Sequence, residues 1–240
     1  MKVVVPMAGR GSRLATTAGT VPKPLIPVRG RPMVSWALRS IENVLFSQII
    51  FIALKEHDEK FQVKEVLSSA MDRPFELLLL DGVTEGQLCT VLEAKSHINT
   101  DEDLLIVSSD TYVVSDIGKH IAQRGSDCAG LISVASLPGN QWSFAQTDEK
   151  GNVIRVAEKE RISDFASTGL YYFSSGRIFV ERAEEVISMG ERTKNEFYVI
   201  PLYQKYIDRG EVIGISRAKQ MFDMGNPEAL NASETFLKTL

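Results

Sequence analysis

The chain opens on Val3-Val4-Val5-Pro6-Met7-Ala8-Gly9-Arg10-Gly11-Ser12-Arg13-Leu14, an apolar run that breaks into two glycines and a hydroxyl. A short apolar run ended by glycine predicts a buried strand followed by a loop. Glycines at that point let backbone N–H groups converge on an anion, because no Cβ blocks the approach. Arg13 and Lys23 add two cations of different kinds. One is a planar fork suited to bidentate phosphate oxygens, the other a mobile point charge for a second phosphate. The stretch predicts a polyphosphate cradle; its alternative is a tight turn carrying two exposed cations.

Two common glycine loops do not fit. A dinucleotide fingerprint needs a third glycine where Leu14 stands, and a Walker loop needs its lysine to lead straight into a helix. Lys23 instead lies between Pro22 and Pro24, which disfavour helix.

Taken together, Gly9, Gly11, Ser12, Arg13, Leu14, Lys23, Pro24 and Leu25 resemble the opening motif of the nucleotidyltransferases that activate sugar 1-phosphates as nucleotide sugars. The resemblance implies their fold: α/β, a Rossmann-like three-layer α/β/α arrangement with a mainly parallel sheet and an inserted β-hairpin segment.

Composition sets bounds on the chain. The 240 residues are 44% hydrophobic and 24% charged, enough for a sizeable core in a single domain spanning 1–240. Net charge is −4 with dispersed Lys and Arg, so no basic stripe points to nucleic acid. Cys89 and Cys128 follow no metal or redox spacing, and no signal peptide or membrane-length apolar run is present. A cytoplasmic protein with reduced thiols and no membrane partner is expected, and self-association is left open.

Further along, apolar runs alternate with amphipathic stretches, the βαβ rhythm of a parallel sheet covered on both faces. Helices are expected over 32–46, 57–71, 88–97, 115–124, 175–189 and 195–209, the last broken by Pro201, with a final helix after Glu228. Strands are expected over 48–54, 75–80, 104–110, 128–136, 168–173 and 212–217, and a hairpin pairs 143–147 with 152–157 around Asp148-Glu149-Lys150-Gly151.

Several later residues carry chemistry. Gly86 and Gln87 sit where a strand's carboxyl end meets a helix, the ligand edge of open α/β sheets, although a glycine there can simply turn the chain. Asp110 ends an apolar strand and is a natural hard ligand for Mg²⁺, or equally a loop cap. By resemblance, Ala8, Gly9, Gly11, Ser12, Arg13, Lys23, Gly86, Gln87 and Asp110 bind the nucleotide, and Asp110 with Asp223, in Asp223-Met224-Gly225-Asn226-Pro227-Glu228, holds the metal. Glu158, Lys159, Gly169 and Glu196 match the half that binds the acceptor; on their own residues Glu158-Lys159 are an ordinary solvated pair and Glu196 a helix-start acid. Two departures lie there: Glu160 replaces a usual proline, and Trp142-Ser143 a usual Tyr-Gly.

The implied reaction is attack by a phosphate-monoester oxygen on the α-phosphorus of a nucleoside triphosphate, with pyrophosphate leaving. Arg13, Lys23 and Lys159 would be the catalytic cations, and none of His57, His97 or His120 is assigned a role. The partners implied are a nucleoside triphosphate and a small phosphorylated acceptor. Cys89-Thr90-Val91-Leu92-Glu93-Ala94-Lys95, after Gly86-Gln87, resembles the small nucleotidyltransferases of capsular and surface-polysaccharide pathways, some with unusual acceptors. Two rivals remain: a cytidylyltransferase of a non-sugar phosphate such as phosphocholine, and an inactive relative that senses nucleotides.

Overall fold

In the computed structural model, residues 1–9, 11 and 21–237 are described. Ser12 and Arg13 lie outside them.

The chain builds β1 (Lys2–Pro6), a small hairpin of β2 (Pro27–Val28) and β3 (Arg31–Pro32), then β4 (Gln48–Leu54), β5 (Glu76–Leu80) and β6 (Leu104–Val107). Next come β7 (Thr111–Val114), β8 (Cys128–Ser136), β9 (Ser143–Thr147), β10 (Val153–Glu158), β11 (Phe165–Phe173), β12 (Val212–Arg217) and β13 (Gln220–Asp223). The main sheet runs β10-β9-β11-β6-β1-β4-β5, with β8 on β11 and β12 on β8. Its centre is parallel: β1 pairs with β4 and β6, and β4 with β5. The mixed part begins at β11, antiparallel to β6 and β8, and the expected hairpin is the antiparallel pair β9–β10 at the sheet's end.

Both faces of the sheet are packed, and side-chain alternation assigns them. Val4, Ile50, Ile52, Leu104 and Ile106 enter one core, while Val3, Val5, Ile49, Phe51, Leu105 and Val107 enter the other. Each fully buried aliphatic side chain of this kind is worth about 1.5–3 kcal/mol. A third cluster joins Val28, Met33, Trp36, Tyr112 and Phe222, tying the small hairpin to the β7–β13 pair.

Several helices are shorter than their amphipathic patterns. The stretch 57–71 divides into Lys55–Phe61 and Val63–Ala70 around Gln62, whose φ of +52° is left-handed. The carboxylate of Asp58 accepts the Lys64 N–H at 3.0 Å and so restarts the chain. The 32–46 pattern yields a helix only over Met33–Arg39, and 88–97 yields Gln87–Leu92 and Lys95–Ile98. The late helix begins at Leu202, immediately after Pro201, so 195–200 is not helical. The strand expected over 104–110 stops at Val107, and β7 then pairs antiparallel with β13.

Candidate active site

The chain leaves β1 and β6 at their carboxyl ends into one cavity of about 710 Å³, the position at which open α/β sheets take ligands. Ala8, Gly9, Gly11, Lys23, Gly86, Gln87, Asp110 and Glu196, all singled out from sequence, line it.

Lys23 is fixed by a 3₁₀ turn, Lys23–Leu25, closed by the Leu25 N–H on the Pro22 carbonyl at 2.9 Å. Gly11, at φ +60°, packs so close to it that an added Cβ would stand 2.8 Å from the Lys23 Cβ. The Lys23 ammonium forms a close ion pair with Asp110 Oδ2, while Asp110 Oδ1 accepts from the Thr111 hydroxyl at 3.3 Å.

Asp223 reaches this region through β-pairing. It stands opposite Thr111 in the β7–β13 register, and the next residue, Met224, donates its N–H to the Asp110 carbonyl at 3.0 Å. Asp223 Oδ1 accepts the Gly225 N–H at 2.8 Å, and Gly225 lines the cavity. A Cβ on Gly225 would lie 3.4 Å from the Lys23 ammonium, so lysine and both aspartates share one corner.

Another part of the wall is two loops joined to each other. The Phe197 N–H donates to the Glu85 carbonyl, and the Leu88 N–H to the Phe197 carbonyl, each at 3.0 Å. The Thr84 and Thr90 hydroxyls both donate to the Gly86 carbonyl, at 3.0 and 3.2 Å. Arg192 ties the same two loops again, pairing with Glu85 at 2.8 Å and lying over the Phe197 ring.

The residues expected at the acceptor divide. Glu196 lines the cavity; Glu158, Lys159 and Gly169 do not. Gly169 acts from behind, where a Cβ would meet the Ser108 hydroxyl at 2.4 Å, and Ser108 is itself on the wall. The Glu158 side chain is only 4% exposed, in close contact with the Ser143 hydroxyl opposite it in the β9–β10 register. Burial pushes the Glu158 carboxyl above its usual range, against the Ser143 hydrogen bond and the charges of Lys159 and Lys194. The Lys159 ammonium lies 3.8 Å from Glu158 Oε1 and donates to the Tyr198 hydroxyl at 2.5 Å.

Tyr198, Asn195, Arg192, Glu85, Thr84 and Ser109 also line the cavity and were not singled out from sequence. One signal was available for Tyr198. Glu196 and Tyr198 flank the buried Phe197, the two-residue alternation of an extended segment.

Asp110 and Asp223 fit a magnesium ion in kind. They are hard oxygen donors at the strand ends beside the cavity, and magnesium takes one or two carboxylates and completes its shell with phosphate oxygens and water. Among the described residues, no cluster of three or more His, Cys, Asp or Glu forms a fuller cage. Cys89 and Cys128 are free, and among the described residues no helix is long and apolar enough to cross a membrane.

The chain is similar to the bifunctional protein GlmU of Methanocaldococcus jannaschii, 22% identical over 99% of this chain and 54% of the relative. It thus spans about half the length of that curated relative. Among solved structures it resembles a nucleoside-diphosphate-sugar pyrophosphorylase from Vibrio cholerae RC9, 27% identical, with a TM-score of 0.80 over 97% of this chain and 99% of that one. The inositol-1-phosphate CTP transferase of T. maritima shares the fold at 15% identity and a TM-score of 0.79, over 99% and 94% of the two chains. The family model described as "Nucleotidyl transferase" matches residues 2–239, nearly the whole length that carries the glycine loop, the strand-end aspartate and the late Asp-x-Gly text, and the chain belongs to that family.

Proposed function

We propose that the protein transfers a nucleoside monophosphate from a nucleoside triphosphate to a sugar 1-phosphate, releasing pyrophosphate. The observation that carries this reading is the convergence of Lys23, Asp110, Gly86 and Glu196, four separate stretches of chain, on one cavity at the sheet's carboxyl edge. Its volume and its polar lining suit a triphosphate at the Lys23 end and a second phosphorylated molecule beside Glu196.

In the proposed step an oxygen of the acceptor phosphate attacks the α-phosphorus. A new P–O bond forms, the bond from the α-phosphorus to the bridging oxygen breaks, and the electron pair leaves with pyrophosphate. The nucleophile is already anionic near neutral pH, so no general base is needed and positioning with charge neutralisation carries catalysis. Lys23 would neutralise the triphosphate, Arg13 the departing pyrophosphate and Lys159 the acceptor phosphate. Asp110 and Asp223 would hold magnesium, which supplies charge neutralisation to the phosphates when bound. A cytoplasmic setting goes with free thiols at Cys89 and Cys128.

One observation favours a second acceptor class. Glu158 does not line the cavity and its Oε2 is engaged by the Ser143 hydroxyl, so this carboxylate is not presented to sugar hydroxyls there, and a non-sugar phosphate such as phosphocholine would not need it.

Pairing each common nucleoside triphosphate with a panel of sugar 1-phosphates and amino-alcohol phosphates, read by pyrophosphate release, tests both. Release with a sugar 1-phosphate is expected. Release only with phosphocholine-like compounds moves the reading to the second class, and no release with any pair overturns both.

A further inference from the structure

Tyr198 joins the cavity to a cation behind its wall. The tyrosine lines the cavity, whereas Lys159 does not, and the two meet at the phenol oxygen, to which the ammonium donates at 2.5 Å. An ammonium has donors only, so in this contact the phenol oxygen accepts. Its own O–H proton is left over, and among the described residues no group takes it. A phenol keeps that proton at neutral pH in any case, and burial raises the Tyr198 pKa further.

The lysine is held with unusual care for a long surface side chain. Its backbone is left-handed at φ +54°, and its N–H is given to the Trp142 carbonyl at 2.9 Å. Backbone strain in a residue that is not glycine persists where the surroundings over-determine it, a pattern concentrated at functional sites. Glu158 backs the ammonium at 3.8 Å and is itself kept in place by Ser143. Ordering a free lysine costs rotamer entropy, and here that cost is met before any ligand arrives.

We propose that Tyr198 is a further acceptor-binding and positioning residue: its oxygen fixes the Lys159 ammonium, and its O–H is given to a phosphate oxygen of the acceptor. This rests on the nucleotidyl-transfer reading above and adds to it a neutral donor coupled to the cation. Glu158 then serves as the buried counter-charge of the lysine.

The test compares the whole chain with its Tyr198→Phe variant, which keeps the ring and removes only the hydroxyl. Steady-state kinetics use glucose 1-phosphate, or phosphocholine if only that supports release. Trace acetylation of Lys159, quantified by peptide mass spectrometry with and without inorganic phosphate, gives a readout independent of turnover. The acceptor KM should rise about tenfold, as expected for one lost hydrogen bond to a charged group, with the nucleotide KM moving less than about twofold. Lys159 should acetylate faster in the variant, and inorganic phosphate should protect it less. An unchanged acceptor KM with unchanged Lys159 acetylation overturns the proposal, as do two KM values that move together. Should the natural chain release no pyrophosphate with any acceptor, the transfer reading falls, and unaltered Lys159 acetylation in the variant then overturns the Tyr198 contact by itself.

Discussion

Gly86 and Phe197 occupy adjoining space so tightly that a Cβ on the glycine would stand 2.4 Å from the Phe197 carbonyl oxygen and 2.6 Å from its nitrogen. Backbone on both sides leaves no flexible side chain to move aside, and Gly86 also has a φ of +144°. Gly86→Ala should therefore cost about 3 kcal/mol through clash and strain together, and abolish pyrophosphate release. Gly82→Ala, in open space, is the control. Urea denaturation of both variants checks this; equal midpoints would contradict the packing.

Lys23→Gln should separate activity from stability. The side chain is 13% exposed and its partner Asp110 is 30% exposed, so the fold should lose only about 1 kcal/mol. Turnover should fall on the order of a hundredfold, the size of effect seen when one donor to developing charge is removed. Thermal melts alongside kcat measurements decide it, and a variant with normal kcat would remove Lys23 from the chemistry.

Asp110→Asn and Asp223→Asn should each weaken magnesium binding, so that either variant needs more metal to work. Both sit beside the Lys23 ammonium, one as its partner and one through Gly225. Activity should be lost on chelation and return on titration with magnesium, at higher metal concentrations in either variant than in the natural chain. A shift confined to one aspartate would dissolve the pair.

Glu158 gives a pH prediction. Its folded pKa lies above the ordinary value of 4.5, principally through burial, so the folded state binds the proton more tightly than the unfolded chain. Stability from this group is then fully present below pH 4.5 and declines as pH rises from there through the folded pKa. Glu158→Gln keeps a hydrogen-bonding partner for Ser143 without the ionisation. Its melting temperature should match the natural chain near pH 4 and exceed it at neutral pH. A variant less stable at both ends would show the carboxylate to be favourably buried.

The strands were legible as short runs rich in apolar residues, most plainly Gln48–Leu54, where burial on both faces leaves an apolar record after its first residue. Gln48–Leu54, Cys128–Ser136 and Val212–Arg217 have the same bounds in sequence and structure. Helix ends were less so. The break at Gln62 depends on the Asp58 carboxylate capturing a particular N–H, which the amphipathic pattern does not record. The β7–β13 pair joins segments far apart in the chain, and nothing local in Thr111–Val114 marks a strand partner. At the site, glycines and strand-end carboxylates were readable as types. The withdrawal of Glu158 was not, because it follows from hairpin register, which sets Ser143 directly opposite. Arg13, the strongest cation of the sequence motif, lies outside the described residues.

The mutual backbone hydrogen bonds between 85–88 and Phe197 bear on how such an enzyme changes its repertoire. A loop grafted from a relative onto one side would arrive without the donors and acceptors its neighbour expects. Exchanging nucleotide preference or acceptor range by transplantation should thus succeed only when both segments travel as a matched set, inherited or engineered in one move.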